Sequence, residues 1–125
     1  MGRILVIDDD NAMALAIERM LRREGHEVLI AQDGLVGLRL FEKHRPPLVI
    51  TDILMPEKEG LSTLREIKAI EPRTKVIAIS GSALAEYEVL DLAGKLGADK
   101  TLAKPFRAAD LVATVNALLK PPRVQ

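Results

Sequence analysis

Five side chains in this sequence stand at or just past the end of an apolar run, and their types complement one another. Asp8 and Asp9 follow Arg3 to Ile7 (RILVI), Asp52 follows Leu48 to Thr51 (LVIT), and Ser80 follows Lys75 to Ile79 (KVIAI). Lys104 follows a fifth, less hydrophobic run from Asp99 to Ala103. Three carboxylates brought to one place repel, and each raises its neighbours' pKa. A hard divalent cation with an oxygen preference makes such a cluster favourable. Mg²⁺ takes one or two carboxylates and completes its shell with water and phosphate oxygens. A lysine and a hydroxyl facing that cation suit an anionic group held between them. The chemistry implied is phosphoryl transfer, where positioning and charge neutralisation supply most of the catalysis. A carboxylate is a competent phosphoryl acceptor, and Asp52 is the candidate nucleophile.

Convergence of these side chains depends on the elements that carry them. Leu48 to Thr51 is apolar without alternation, which predicts a strand buried on both faces. Pro56 discourages a helix from starting at once after it. An acid at the C-terminal end of a buried parallel strand stands where open α/β sheets bind their ligands. Around this strand the chain alternates between two periods. Asn11 to Glu24 repeats Met13, Ile17, Met20 and Leu21 at helical spacing, with Gly25 as its C-terminal cap. His26 to Ala31 predicts a second strand. Asp33-Gly34 opens a helix carrying Leu35, Leu38 and Phe41, with Asp33 as N-cap. Lys43 to Arg45 put positive charge in its last turn, and Pro46-Pro47 end it. Gly60 to Ile70 places Leu61, Leu64, Ile67 and Ile70 on one helical face. Ala83 to Leu96 carries Leu84, Tyr87, Leu90 and either Leu92 or Ala93 inward, weakened by Gly94 and capped by Gly97. The last helix, Ala108 to Leu119, buries Leu111, Val115 and Leu118, with Val112 and Leu119 beside them.

Five strands alternating with five helices predict an α/β domain with a parallel sheet. Right-handed crossovers put helices on both faces of the sheet and all strand C-termini at one edge. The length of 125 residues fits one domain, over residues 1–120, with 121–125 as a tail or the start of a linker. Hydrophobic residues at 48% and charged residues at 29% are ordinary for a globular protein. Eighteen basic and eighteen acidic residues cancel, so neither a nucleic acid nor an anionic membrane is an expected partner. The absence of cysteine excludes disulfides, thiolate metal sites and cysteine nucleophiles. The first strand begins within three residues, leaving no room for a signal peptide, and no apolar run reaches membrane-spanning length. The expected location is the cytoplasm.

Simpler roles compete for several of these residues. Asp10 and Asn11 read as helix caps rather than ligands, and Asp8 or Asp9 taken alone could also cap. Ser80 could bond a loop amide, and Ser82 competes for its role; Ser80 is preferred because it directly follows the strand. His26 and His44 read as surface or capping residues, since neither has metal-ligand spacing to anything. Met13, Met20 and Met55 read as gap-fillers. Neither GxxxxGK nor GxGxxG occurs, which disfavours a nucleotide-binding module. A phosphohydrolase with an aspartyl nucleophile would want a second Asp two residues on, where Leu54 stands.

Asp8-Asp9, then Asp52 with Met55-Pro56 and Gly60, then Ser80-Gly81, then Lys104-Pro105-Phe106, together resemble the receiver domain of two-component response regulators. The resemblance runs from Ile4 to about Leu119. It implies a flavodoxin-like, doubly wound (βα)5 fold with strand order 2-1-3-4-5. It also implies that Asp52 takes a phosphoryl group from a histidine kinase or a histidine phosphotransfer protein. In the same way, Asp9 would coordinate Mg²⁺ directly, Asp8 would act through water, and Asp52 and the Leu54 carbonyl would join the shell, with Mn²⁺ as a substitute. Ser80 resembles the switch hydroxyl, Lys104 the lysine that pairs with the aspartate and then with the phosphate, and the Lys104–Pro105 bond is expected to be cis. Such a chain is a signalling domain that acts on itself rather than a turnover enzyme. The rival is a degenerate receiver serving as a non-phosphorylated interaction module, but every expected site position is filled.

The chain also departs from the family's pattern. Thr101 stands where many receivers carry an aromatic residue three positions before the lysine, so any readout to an unknown output partner must use something else. Glu59 replaces a more usual aspartate, and the interval from Ser80 to Lys104 is slightly long. Gly81 replaces a common alanine and loosens its loop. Leu54 and Ser82 occupy positions that influence hydrolysis of the phosphoaspartate. Leu54 offers no polar side chain to orient an attacking water, so slow to moderate self-dephosphorylation is expected. Following the decay of the phosphorylated protein after removal of the donor checks this; a half-life of only seconds would overturn it.

Overall fold

Successive residues of a strand face opposite sides of a sheet, and the strands here are apolar at both parities, so both sides need a cover. The computed structural model describes residues 2–53, 59–80, 93–95 and 97–119. Among them β1 (Arg3–Ile7), β2 (Glu27–Ala31), β3 (Leu48–Asp52), β4 (Lys75–Ser80) and β5 (Lys100–Ala103) form one parallel sheet in the order β2-β1-β3-β4-β5. The helices are α1 (Asn11–Arg23), α2 (Gly34–His44), α3 (Glu59–Ile70) and α4 (Ala108–Leu119). Residues 93–95 are helical; the rest of the helix expected from Ala83 to Leu96 lies outside the described residues, apart from them, as do Met55 and the tail from residue 120.

The alternation sorts the core into two layers. Ile4, Val6, Leu48, Ile50, Ile77 and Ile79 face α1 and α4, meeting Ala14, Ile17, Leu21, Leu111 and Val115. Leu5, Ile7, Val49, Val76 and Ala78 face the other way, onto Phe41 of α2 and Leu64 and Ile67 of α3. All five residues of β3 are buried, as its unbroken apolar run requires. The weaker hydrophobicity of β5 has its reason in the topology: it is an edge strand, and Lys100, Thr101 and Ala103 are exposed. Met13 and Met20 fill the margin of the α1 and α4 layer.

Local signals place the helix ends. Asp10 caps α1, and Asp33 caps α2 by accepting from the Val36 N–H at 2.8 Å. Gly25 and Gly97 take positive φ of 89° and 115°, a region that favours glycine after a helix. At the far side of the sheet Lys68 Nζ donates to the Thr74 carbonyl at 2.6 Å and to Asp99 Oδ2 at 2.9 Å. The same Asp99 oxygen accepts the Val76 N–H at 2.8 Å, so one ion pair ties the end of α3 to the starts of β4 and β5.

Two expectations are corrected. Leu35 is not part of the buried face of α2 but 60% exposed. The face turned inward is Gly34, Gly37, Leu38 and Phe41; α2 lies so close to β1 that a Cβ at position 37 would press on the Ile7 side chain. His26 is not a surface residue but 5% exposed. Its Nδ1 accepts the Gly2 N–H at 3.2 Å, which leaves Nε2 to donate to Asn116 Oδ1 at 3.1 Å. It joins the start of the chain to α4.

A Cβ built on Gly37 would stand 2.5 Å from Ile7 Cδ1. Gly37→Ala is therefore expected to destabilise the fold by about 1–3 kcal/mol, the usual cost of overpacking, despite alanine's better helix propensity. Urea unfolding checks it; an unchanged or higher midpoint would show that α2 can shift freely.

Candidate functional site

Strand register brings the charged residues together. β1 and β3 pair in parallel from Ile4 opposite Leu48 to Ile7 opposite Thr51, and one further step sets Asp8 beside Asp52. The backbone ladder continues past the strand ends. Asp8 N–H donates to the Ala31 carbonyl at 3.0 Å, Ile53 N–H to the Ile79 carbonyl at 3.0 Å, and Lys104 N–H to the Ser80 carbonyl at 2.7 Å. The functional residues therefore leave the sheet from backbone that is already hydrogen-bonded. The Lys104–Pro105 peptide is cis, as the resemblance implies.

At this edge one oxygen each from Asp8, Asp9 and Asp52 lies within 4.8 Å of the others. Asp8 and Asp52 are 1% and 7% exposed, while Asp9 is open to solvent. Lys104 Nζ donates to Asp52 Oδ2 at 3.2 Å and to Asp8 Oδ2 at 3.5 Å. The Ser80 hydroxyl is fully buried and has no hydrogen-bond partner among the described residues. An unsatisfied buried hydroxyl costs about 1–3 kcal/mol, so such groups mark places where a ligand oxygen can be received. Four of the expected side chains thus meet in one cluster and Ser80 sits beside it on β4, whose last pairing with β5 is Ser80 opposite Ala103. The expected backbone ligand, Leu54, and the rate-influencing Ser82 lie outside the described residues, as do Pro56 and Gly81. Thr101 is exposed on β5, opposite Ala78.

Among the described residues the cluster carries more negative than positive charge. Burial pushes the Asp8 carboxyl above its ordinary 3.8, and the nearby Asp52 charge adds to this; the Asp10 N–H and the Lys104 ammonium oppose it without cancelling it. Burial pulls the Lys104 ammonium down, but the charges of Asp52 and Asp8 outweigh that and hold its pKa above 10.5. Among the described residues, one ammonium faces three carboxylates. A divalent cation approaching from the exposed Asp9 side fits that imbalance and that all-oxygen donor set.

Asp10 does more than the capping expected of it. Its backbone N–H also donates to Asp8 Oδ1 at 2.9 Å. The signal for this was present, because an aspartate side chain readily bonds the amide two residues on.

The raised Asp8 pKa has a consequence for stability. Between the unfolded value and the higher folded value the native state holds more protons than the unfolded chain, so stability falls as pH rises through that window. Below the window the penalty is absent. In chelator, Asp8→Asn is expected to melt at a higher temperature than the wild type at pH 7, with the gap narrowing as pH falls towards 3.8. A lower melting temperature at pH 7, or a gap that widens on acidification, would contradict this.

The geometry has counterparts in known proteins. Residues 4–116 match the family model of the response regulator receiver domain. The transcriptional regulatory protein PrrA of Mycobacterium bovis is 39% identical over 118 residues, covering 94% of this chain and 50% of that protein. The transcriptional regulatory protein CpxR of Klebsiella pneumoniae is 37% identical over 120 residues, 96% of this chain and 50% of that protein. The chain spans about half the length of these relatives. Among solved structures, a receiver domain protein from Clostridium thermocellum superposes with a TM-score of 0.88 at 38% identity, covering 95% of this chain and 94% of that one. The response regulator TrrA of Thermotoga maritima, solved with Mg²⁺ and BeF, superposes with a TM-score of 0.84 at 32% identity, covering 95% of this chain and all of that one. With its sheet order, its acidic edge and these likenesses in agreement, the chain belongs to the response regulator receiver domain family.

Proposed function

We propose that this chain is a phosphoacceptor of a two-component or phosphorelay system, with Asp52 as the residue phosphorylated. The observation that carries the reading is the Lys104 ammonium bridging Asp52 and Asp8 at 3.2 and 3.5 Å, beside a buried serine hydroxyl that has no partner among the described residues. The donor is a phosphohistidine of a histidine kinase or a histidine phosphotransfer protein. An Asp52 carboxylate oxygen attacks the phosphorus, an O–P bond forms, the N–P bond breaks, and the imidazole departs with its electron pair. Lys104, released from the uncharged acyl position, pairs with the new phosphoryl oxygens, and the Ser80 hydroxyl donates to one of them. Mg²⁺, with Mn²⁺ as a substitute, is the cation that Asp8, Asp9 and Asp52 would hold; bound there it neutralises charge on the phosphoryl group. The domain acts on itself and is not a turnover enzyme.

Contacts from Ser80 to the phosphoryl group shift the population of the output face, and the size of the shift is bounded by those contacts. With Thr101 in place of an aromatic, the readout does not use the usual aromatic side chain. Two relatives carry the name transcriptional regulatory protein and are twice as long as the match, so control of transcription is the wider context we favour. The balanced charge that disfavours a nucleic-acid partner belongs to the receiver alone. Among the described residues no helix is long and apolar enough to cross a membrane, which supports a cytoplasmic setting.

Treatment with a small-molecule phosphodonor and Mg²⁺, followed by intact-mass measurement, tests the assignment. One phosphate adduct is expected on the wild type and none on Asp52→Asn. Absence of any adduct with metal present would favour the non-phosphorylated interaction module.

A further inference from the structure

The turn between β1 and α1 contributes more than two carboxylates to the acidic edge. Asp10 is engaged there in two directions at once. Its side-chain Oδ1 accepts the N–H groups of Ala12 at 3.0 Å and Met13 at 3.2 Å, capping α1, and its carbonyl accepts the Ala14 N–H at 3.0 Å. Its own N–H points the other way and donates to Asp8 Oδ1 at 2.9 Å. The residue is extended, with φ −86° and ψ 102°, which is the conformation an N-cap takes. Asp8 is held by this arrangement at one oxygen, while Oδ2 is turned to Lys104 at 3.5 Å. The Asp10 carboxylate is exposed and committed to the helix, so it is no candidate ligand itself.

We propose that Asp10 is a positioning residue for the cation site: by capping α1 it fixes the direction of its own N–H, and that N–H sets the rotation of the Asp8 carboxylate. The proposal rests on the reading of this edge as a Mg²⁺ site. Groups that hold a metal ligand by hydrogen bonds are worth about 10–100-fold in metal affinity. Asp10's side chain acts one bond further out, through its own backbone, so the lower end of that range applies.

The test is calorimetric titration of the full chain with Mg²⁺, and separately with Mn²⁺, at a temperature where circular dichroism shows every variant folded. Asp10→Ala is expected to weaken binding by about 10-fold. Asp10→Ser keeps a capping oxygen but removes the charge, and is expected to recover most of that affinity. Asp33→Ala uncaps α2 at comparable cost to stability and should bind as the wild type does. Should Asp10→Ala not fold, Asp10→Gly removes the same side-chain bonds at far lower cost to the helix and takes its place. Wild-type affinity in Asp10→Ala overturns the proposal. So does a loss in Asp10→Ser equal to that in alanine, which would assign the effect to charge, or an equal loss in Asp33→Ala, which would assign it to general destabilisation. A wild type that takes up neither cation overturns the reading beneath it as well, and is recognised because it needs no variant.

Discussion

Everything at the acidic edge depends on keeping like charges close together. Asp8 and Asp52 are almost wholly withdrawn from water, and the ammonium of Lys104, from the end of the edge strand β5, stands between them. Removing two carboxylates from solvent is costly, and pairing both with Lys104 offsets part of that cost. Lys104 therefore does more than attract phosphate. It is an internal counter-ion for the two buried carboxylates, whose charges hold its pKa above the ordinary lysine value against the opposing effect of burial.

The sheet supplies what the charges cannot, which is a fixed distance. β1 and β3 are neighbours in space though far apart in sequence, and their register carries Asp8 and Asp52 to the same level. β5 has to bring Lys104 to that level from an exposed edge with little apolar surface of its own. The Lys68 and Asp99 pair at its start and the Ser80 carbonyl at its end hold it where burial alone would not. Precision at one end of β5 is thus bought by polar anchors at both.

Much of this was legible in the chain. Acids that directly follow apolar runs, glycines and aspartates at helix ends, and a proline shortly after β3 are local signals, and they located Asp8, Asp9, Asp52, Ser80 and Lys104 without any contact being known. What could not be read was set by partners distant in sequence. His26 looks like a surface residue until Gly2 and Asn116 close on it. Leu35 looks like core until Gly37 brings α2 against Ile7 and Leu35 is left facing solvent. The second duty of Asp10 was hidden for a different reason: it belongs to the backbone, and side-chain types do not report where an amide points.

The His26 bridge has a mechanical meaning for α4. Asn116 is near the end of that helix remote from Lys104, and the imidazole moors it to the first residues of the chain. A disturbance that begins beside Lys104 meets a helix pinned at its opposite end. With Leu111 and Val115 buried in the core as well, α4 is fastened both along its apolar face and at the sheet edge opposite the acidic cluster.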